Sequence, residues 1–355
     1  NHHATGRPFA HENLTYMIAD FRSDTVTKPG PGMLEAMQRA KIGDDVFRED
    51  PAVNELEEKM SKLFGMEAAM YCLSGTMSNQ VGIASHTRPG DEVICERESH
   101  VYFYEGGGIA RNSGCQVRTL AGDRGRINAG QVLESINPDD VHRARTSLVC
   151  LENTSNRGGG SCYDAEEIQK IRTVCVERGL LLHLDGARLF NALVARNEKP
   201  LIYGKWFDSI SVCFNKGLGC PAGSVLMGTA DFIRQARRVR KVFGGGLRQA
   251  GFYAATALFA LEHNVERLKD DHLKAGIIAD ALAAHPLIKF VAPAETNLVI
   301  FEFDASVEPS HFISSMKARD ILLFGIGNRR LRMVTHLDIT DQMVEHFLSA
   351  LKGFR

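Results

Sequence analysis

The feature that most constrains this chain is a rhythm. Seven short apolar runs of strand length, AAMYCLSG, DEVICE, CQVRTLA, TSLVCLE, GLLLHLD, DSISVCF and GSVLMG, are mostly separated by helix-like stretches such as AEEIQKIRTVCVERG. Strand-length runs alternating with amphipathic helices pack as βαβ units, so the pattern predicts an α/β fold with a mostly parallel central sheet flanked by helices. Ahead of the first run, TKPGPGMLEAMQRA starts a helix after Pro and Gly. A second helix follows in PAVNELEEKMSKLFG, where Val53, Leu56, Met60 and Leu63 recur at helical spacing and Gly65 is placed to stop it. One long helical pattern, LRQAGFYAATALFALEHNVERLKDDHLKAGIIADALAAH, leads out of the alternating region. Beyond Pro286, NLVIFEF, a helical HFISSMKARD and LRMVTH fit a smaller α+β domain. The expected division is an N-terminal segment at 18–49, a large α/β domain at 50–265 and a small C-terminal α+β domain at 266–355. No internal repeat, low-complexity tract or flexible linker interrupts it.

Composition narrows the function classes. Lys plus Arg number 42 against 43 Asp plus Glu, a formal charge of -1, so no global field draws the chain to nucleic acid or anionic lipid. No apolar run reaches about 18 residues, which argues against a membrane span. The polar start, Asn1 to Asn13, lacks the basic and apolar order of a signal peptide, and His2 and His3 read as remnants of an expression tag. Eight cysteines show no CxxC or CxxxxC pairing, and several sit inside apolar runs such as SLVCLE. They are expected to be buried reduced thiols in a cytoplasmic enzyme, with no metal site.

The 33 glycines are the clue to chemistry, because they concentrate beside polar residues in SGT, YEGGG, NRGGG, NKGLG and FGGG. Neither GxGxxG nor GxxxxGK[ST] occurs, which argues against nicotinamide and nucleoside triphosphate sites. Ser74, Gly75 and Thr76 follow the apolar AAMYCL and precede a helix-like stretch. Such a strand, turn and helix start offers free N–H groups to a phosphate, although SGT alone also fits a plain helix cap. Asp185 ends the apolar GLLLHL, and in an open parallel sheet the carboxyl ends of strands line the ligand crevice. Lys216 follows DSISVCFN in a glycine-containing turn, where a lysine can form a Schiff base. A phosphate cradle, an aspartate for a protonated ring nitrogen and a lysine, in that order, fit a pyridoxal 5'-phosphate site.

Longer stretches carry a resemblance. DFRSDTVTKP, GDDVFREDP, SGTMSNQ, GDEVICERESHVYFYEGGG, PDDVHRARTSLVCLENTSN, HLDGARLFNA, NKGLGCPAGSVLMG, RKVFGGGLRQAG and LRMVTH run in order through residues 18–350. Together they resemble the L-threonine aldolase family of the low-specificity type, within the fold type I pyridoxal phosphate enzymes. The resemblance implies that Lys216 holds the cofactor as a Schiff base, that Asp185 pairs with its ring nitrogen and that Arg188 reaches its phenolic oxygen. It implies further that His100 stacks on the ring and that Ser74, Gly75 and Thr76 bind the phosphate, with Arg248 contributed from a neighbouring subunit. Ser23 and Arg332 match a clamp on the substrate carboxylate, and His142 matches a histidine near the β-hydroxyl. The implied catalytic set is Lys216, His100, His142 and Asp185. Members are homotetramers with shared active sites, and they cleave L-threonine and L-allo-threonine to glycine and an aldehyde.

Three positions depart from the family pattern. Ser155 stands where many members have His, Phe47 where they have Tyr, and Asn215 where Ser commonly precedes the lysine. Altered preference at the β-substituent is expected from them. The alternatives are an amino-acid racemase on the same cofactor and a phenylserine-preferring aldolase; aldehyde release separates the aldolases from the racemase.

Overall fold

The computed structural model describes residues 18–327 and 329–355; the polar stretch 1–13, with His2 and His3, lies outside the described residues. The strands in chain order are β1 (Ala19–Asp20), β2 (Ala68–Cys72), β3 (Glu92–Glu96), β4 (Gln116–Leu120), β5 (Thr146–Glu152), β6 (Leu181–Gly186) and β7 (Ser209–Cys213). They continue with β8 (Ser224–Gly228), β9 (Ile288–Val291), β10 (Leu298–Phe303), β11 (Ile321–Leu322), β12 (Phe324–Gly327) and β13 (Arg330–Val334). All seven apolar runs become strands of one sheet, ordered β2-β8-β7-β6-β5-β3-β4. Every neighbouring pair is parallel except those of β8, which runs against both β7 and β2. β3, β5, β7 and β8 are buried at every position, as strands covered by helices on both faces must be. β4 lies at the edge and is half exposed. Since β2, β3, β5, β6 and β7 point the same way, their carboxyl ends share one rim. Ser74, His100, Glu152, Asp185 and Lys216 therefore gather there from distant parts of the sequence.

Local signals set the helix ends. The helix Pro51–Phe64 begins where the Asp50 carboxylate accepts from Val53 N–H, and it ends at Gly65, whose φ of 67° is the left-handed cap position. The long helical pattern after residue 246 differs from expectation, for it divides into Gly251–His263 and Leu268–Ala283. At the break, Asn264 Nδ2 donates to the Leu218 carbonyl at 2.8 Å, and Asp270 and Asp271 sit in the first turn of the new helix, where acidic groups favour a helix start. Amphipathic periodicity does not register such a turn.

Residues 288–334 build an antiparallel sheet, β12-β13-β10-β9. Its core of Phe301, Phe303, Phe312 and Phe347 also takes in Ala19 and Phe21 from the start of the described chain. β1 pairs in parallel with β11 through Ala19 with Ile321 and Asp20 with Leu322. The N-terminal segment is thus clasped to the far end of the chain, and the turn that follows it, Ser23–Val26, reaches the rim of the large sheet. All eight cysteines are buried and free. No helix of the described residues is long and apolar enough to cross a membrane.

Candidate active site

A cavity of about 450 Å³ opens between the carboxyl rim of the large sheet and the small sheet. Ser23, His100, Arg188, Lys216 and Arg332 line it, together with Tyr104, Glu152, Asn156, Arg157 and Phe324. Lys216 follows β7 and places Nζ 3.3 Å from Cys213 Sγ. Gly75, at the start of the helix Gly75–His86, lies against the same atoms: a Cβ there would stand 2.4 Å from Cys213 Sγ and 3.9 Å from Lys216 Nζ. Only a residue without a side chain lets the helix N-terminus approach the lysine this closely. Ser74 caps that helix, its Oγ accepting from Met77 N–H at 3.2 Å, and Thr76 is exposed beside it.

Asp185, at the end of β6, is 2% exposed. Its carboxylate accepts from Asn79 Nδ2 at 2.9 Å and from Ala187 N–H at 3.0 Å. Asn79 Nδ2 also donates to Glu105 at 3.0 Å, and Glu105 accepts from Gln80 at 2.6 Å and contacts His100 Nδ1 at 2.8 Å. Burial alone would lower the His100 pKa; the Glu105 contact and the charges of Asp185, Glu105 and Glu152 outweigh it and raise the value above the usual histidine range. Glu152 ends β5 and accepts the backbone N–H groups of His100 and Asn156, each at 2.8 Å. Burial, then the nearby charge of Asp185, push its carboxyl up to about 7.

On the opposite wall Arg188 grips Asp24 with two hydrogen bonds of 2.7 Å. Burial would raise the Asp24 pKa, but the guanidinium prevails and holds it at about 2. Arg332, on β13, donates to Asn156 Oδ1 at 2.7 Å and to the Arg22 carbonyl at 3.2 Å, while its Nε is buried without a partner. Among the described residues it makes no ion pair; burial first, and then the charge of Arg188, depress its pKa. A mostly buried guanidinium facing a cavity without its own carboxylate is a site for a carboxylate from outside. Ser23 stands close by, its Oγ accepting from Thr25 N–H at 3.2 Å.

Of the expected residues, Ser74, Gly75, Thr76 and Asp185 do not themselves line this cavity, and two others are largely exposed. The His142 side chain is 86% exposed and bound to Asp140 at 2.8 Å. That of Arg248 is 52% exposed, pairs with Asp44 at 2.9 Å and lies over the exposed Phe47 ring. Ser155 requires a correction: it is buried, and its Oγ accepts from Gly158 N–H at 3.1 Å. The side chain packs against the turn at Gly125, so it does not shape the cavity; its neighbour Asn156 does.

The beta-eliminating lyase family matches residues 20–306. The chain belongs to it. Within this lyase family, the low-specificity L-threonine aldolase of Escherichia coli K12 is 39% identical over 338 residues, covering 95% of this chain and 99% of its own. The low-specificity L-threonine aldolase 1 of Arabidopsis thaliana is 38% identical, covering 94% and 95% respectively. The threonine aldolase of Leishmania major, 20% identical, superposes with a TM-score of 0.83 over 94% of this chain and 98% of its own. That likeness identifies a fold type I architecture, a mostly parallel sheet with a small antiparallel C-terminal unit.

Sequence reading of this lyase missed Asp24, Asn79, Glu105 and Glu152. Glu152 ends an apolar run just as Asp185 does, so the strand-end argument was available for it. Asp24 lies in a short 3-10 turn and Glu105 in a loop, and only the three-dimensional path brings them to Arg188 and His100.

Proposed function

We propose that this chain is a pyridoxal 5'-phosphate-dependent carbon–carbon lyase that cleaves L-threonine and L-allo-threonine, and other L-β-hydroxy-α-amino acids, to glycine and an aldehyde. The observation that carries the reading is the convergence on one cavity of Lys216 and of an Arg332 with no carboxylate of its own. The residues fit the cofactor and its substrate: the Gly75 backbone leaves no room for a Cβ against Cys213, which lets the helix start lie beside Lys216, and Arg332 Nε is a buried donor open to a substrate carboxylate. Lys216 would hold the cofactor aldehyde, Asp185 its ring nitrogen, Arg188 its phenolic oxygen and Ser74, Gly75 and Thr76 its phosphate. When bound, the cofactor supplies an electron sink for the bond broken at Cα.

The chain's own residues then select that bond. Arg332, with Ser23 beside it, grips the α-carboxylate and so fixes the orientation of Cα, which favours an L-amino acid. Asp185, whose carboxylate accepts from Asn79 and Ala187 N–H, would pair with the cofactor's ring nitrogen. His100 directs Nδ1 to Glu105, leaving Nε2 as the ring nitrogen free to hold or release a proton, and it would lie against the cofactor. The β-hydroxyl proton passes to His142 or to a water. His142 and Arg248, both outside the cavity of their own chain, join this scheme when a second copy brings them to it, in a homotetramer with shared sites. The eight buried free thiols suit the cytoplasm.

The deciding experiment measures kcat/KM for all four threonine stereoisomers, following glycine and aldehyde together. Both L-isomers should react and both D-isomers poorly. Discrimination at Cβ should be modest, because one methyl group is worth about 1 to 3 kcal/mol. Comparable cleavage of D-threonine would defeat the carboxylate clamp, and turnover without aldehyde would defeat the lyase assignment.

A further inference from the structure

From Asp185 a line of polar side chains runs between the large sheet and the helix Gly75–His86. Asn79 Nδ2 reaches Asp185 Oδ2 at 2.9 Å and Glu105 Oε1 at 3.0 Å. On its other side Asn79 Oδ1 meets His183 Nε2 at 3.2 Å. His183 Nδ1 lies 2.7 Å from Ser209 Oγ, and Ser209 Oγ lies 2.7 Å from His86 Nε2. Asn79, His183 and Ser209 are each at most 1% exposed. The His86 ring stacks on Phe232 with centroids 4.2 Å apart.

The direction of every hydrogen bond in this line follows from its two ends. Two carboxylates can only accept, so the Asn79 amide must turn its NH2 toward them and its oxygen toward His183. That oxygen accepts, so His183 carries its proton on Nε2. Burial pushes His183 down to about 3, with a contribution from His86, and it pushes His86 down to about 4. Both rings are therefore neutral near pH 7, each with one donor and one acceptor. His183 Nδ1 must then accept the Ser209 hydroxyl proton, and Ser209 Oγ in turn accepts from His86 Nε2. All the donors point toward Asp185. Packing holds the ring in place, since a Cβ at Gly82 would stand 3.1 Å from His183 Cε1.

We propose that His183, kept as its Nε2–H tautomer by Ser209, is a positioning residue that locks the Asn79 amide with its NH2 against Asp185 and Glu105, and so holds Asp185 ready as an anionic partner for the cofactor ring nitrogen. A flipped Asn79 would set its oxygen against two carboxylates and oppose the anionic form. The proposal rests on the role given to Asp185 above.

The test uses the full-length protein and reads cofactor affinity as well as turnover. Apo protein is titrated with pyridoxal 5'-phosphate, and kcat and KM for L-threonine are measured after reconstitution. His183→Leu should weaken cofactor binding and lower kcat, each about tenfold, with KM unchanged, as expected for losing hydrogen-bond support to a charged group. His183→Gln, whose amide can still donate to Asn79 Oδ1, should recover to within about threefold of the parent. Equal behaviour of the two variants at matched melting temperature would overturn the proposal. If His183→Leu fails to fold, 15N spectra of histidine-labelled apo protein decide. A neutral Nε2–H imidazole that vanishes in His183→Gln supports the tautomer lock, and an Nδ1–H ring or an imidazolium at neutral pH refutes it. Asp185→Ala separates the two levels of argument. Undiminished cofactor affinity and turnover there would remove the role of Asp185 itself, whereas a loss there with an indifferent His183→Leu would remove only the lock.

Discussion

On the proposed reading a single amine, that of Lys216, carries the chemistry, and Lys216→Ala should abolish multiple turnover while eliminating the visible absorbance of lysine-bound cofactor. Spectra and an aldehyde assay with added cofactor check both; an unchanged band with parental turnover would refute the assignment. Asp185→Asn keeps the shape of the side chain and removes its charge, so kcat should fall by about a hundredfold at saturating cofactor. Glu152 offers a test by pH. Its carboxyl is raised to about 7 in the folded protein, above about 4.3 for an exposed glutamate. The folded state therefore binds the Glu152 proton more tightly than the unfolded chain, and stability falls as pH rises between those two values. Measured on apo protein, the melting temperature of Glu152→Gln relative to the parent should rise between pH 5 and pH 8. The shift should correspond to about 1 to 3 kcal/mol, at 1.36 kcal/mol for each unit. A difference that stays constant with pH would show that Glu152 ionises normally.

At the scale of elements, the close approach of the helix Gly75–His86 to β7 depends on one absent methyl group. Gly75→Ala should push the helix start away from Cys213 Sγ, costing about 1 to 3 kcal/mol in stability and weakening cofactor binding. Cys213→Ala removes the obstructing sulfur, so the double variant should regain a large part of the loss, and a double-mutant cycle in melting temperature reads that coupling directly. The elements themselves were largely legible: each of the seven apolar runs is a strand of the large sheet, and Gly65 stops its helix where the periodicity ends. The reversed direction of β8 was not, because a strand's direction is set by its non-local partners and leaves its apolar pattern unchanged. The turn at Asn264 was also hidden, since its hydrogen bond is made to Leu218, far away in sequence. Among site residues, those at strand ends could be placed by topology alone. Arg332 needed a family resemblance, and Asn79 needed the structure, because its role depends on what stands on both sides of its amide.

At the scale of the whole molecule, the roles proposed for His142 and Arg248, both exposed in their own chain, require a second copy. Light scattering should give a tetramer, and Arg248→Ala should weaken cofactor binding about tenfold without disturbing the fold, as loss of a charged phosphate contact does. A monomer that keeps full activity across the assay concentrations would contradict shared sites. The clasp of β1 on β11 joins residues about three hundred positions apart, and it carries Ser23 and Asp24 to the cavity. Deleting residues 1–22 should therefore leave the large sheet folded but abolish cofactor binding, as absorbance and circular dichroism would show together. The clasp also imposes an order on birth. During synthesis β1 leaves the ribosome ahead of the large sheet, whereas its partner strand β11 and Arg332 follow that sheet. A nascent chain can assemble the large sheet long before it owns a finished binding site. On the proposed roles, Lys216, Asp185 and Arg188 are made before Arg332, so an arrested chain should gain its cofactor cradle before its grip on the substrate carboxylate.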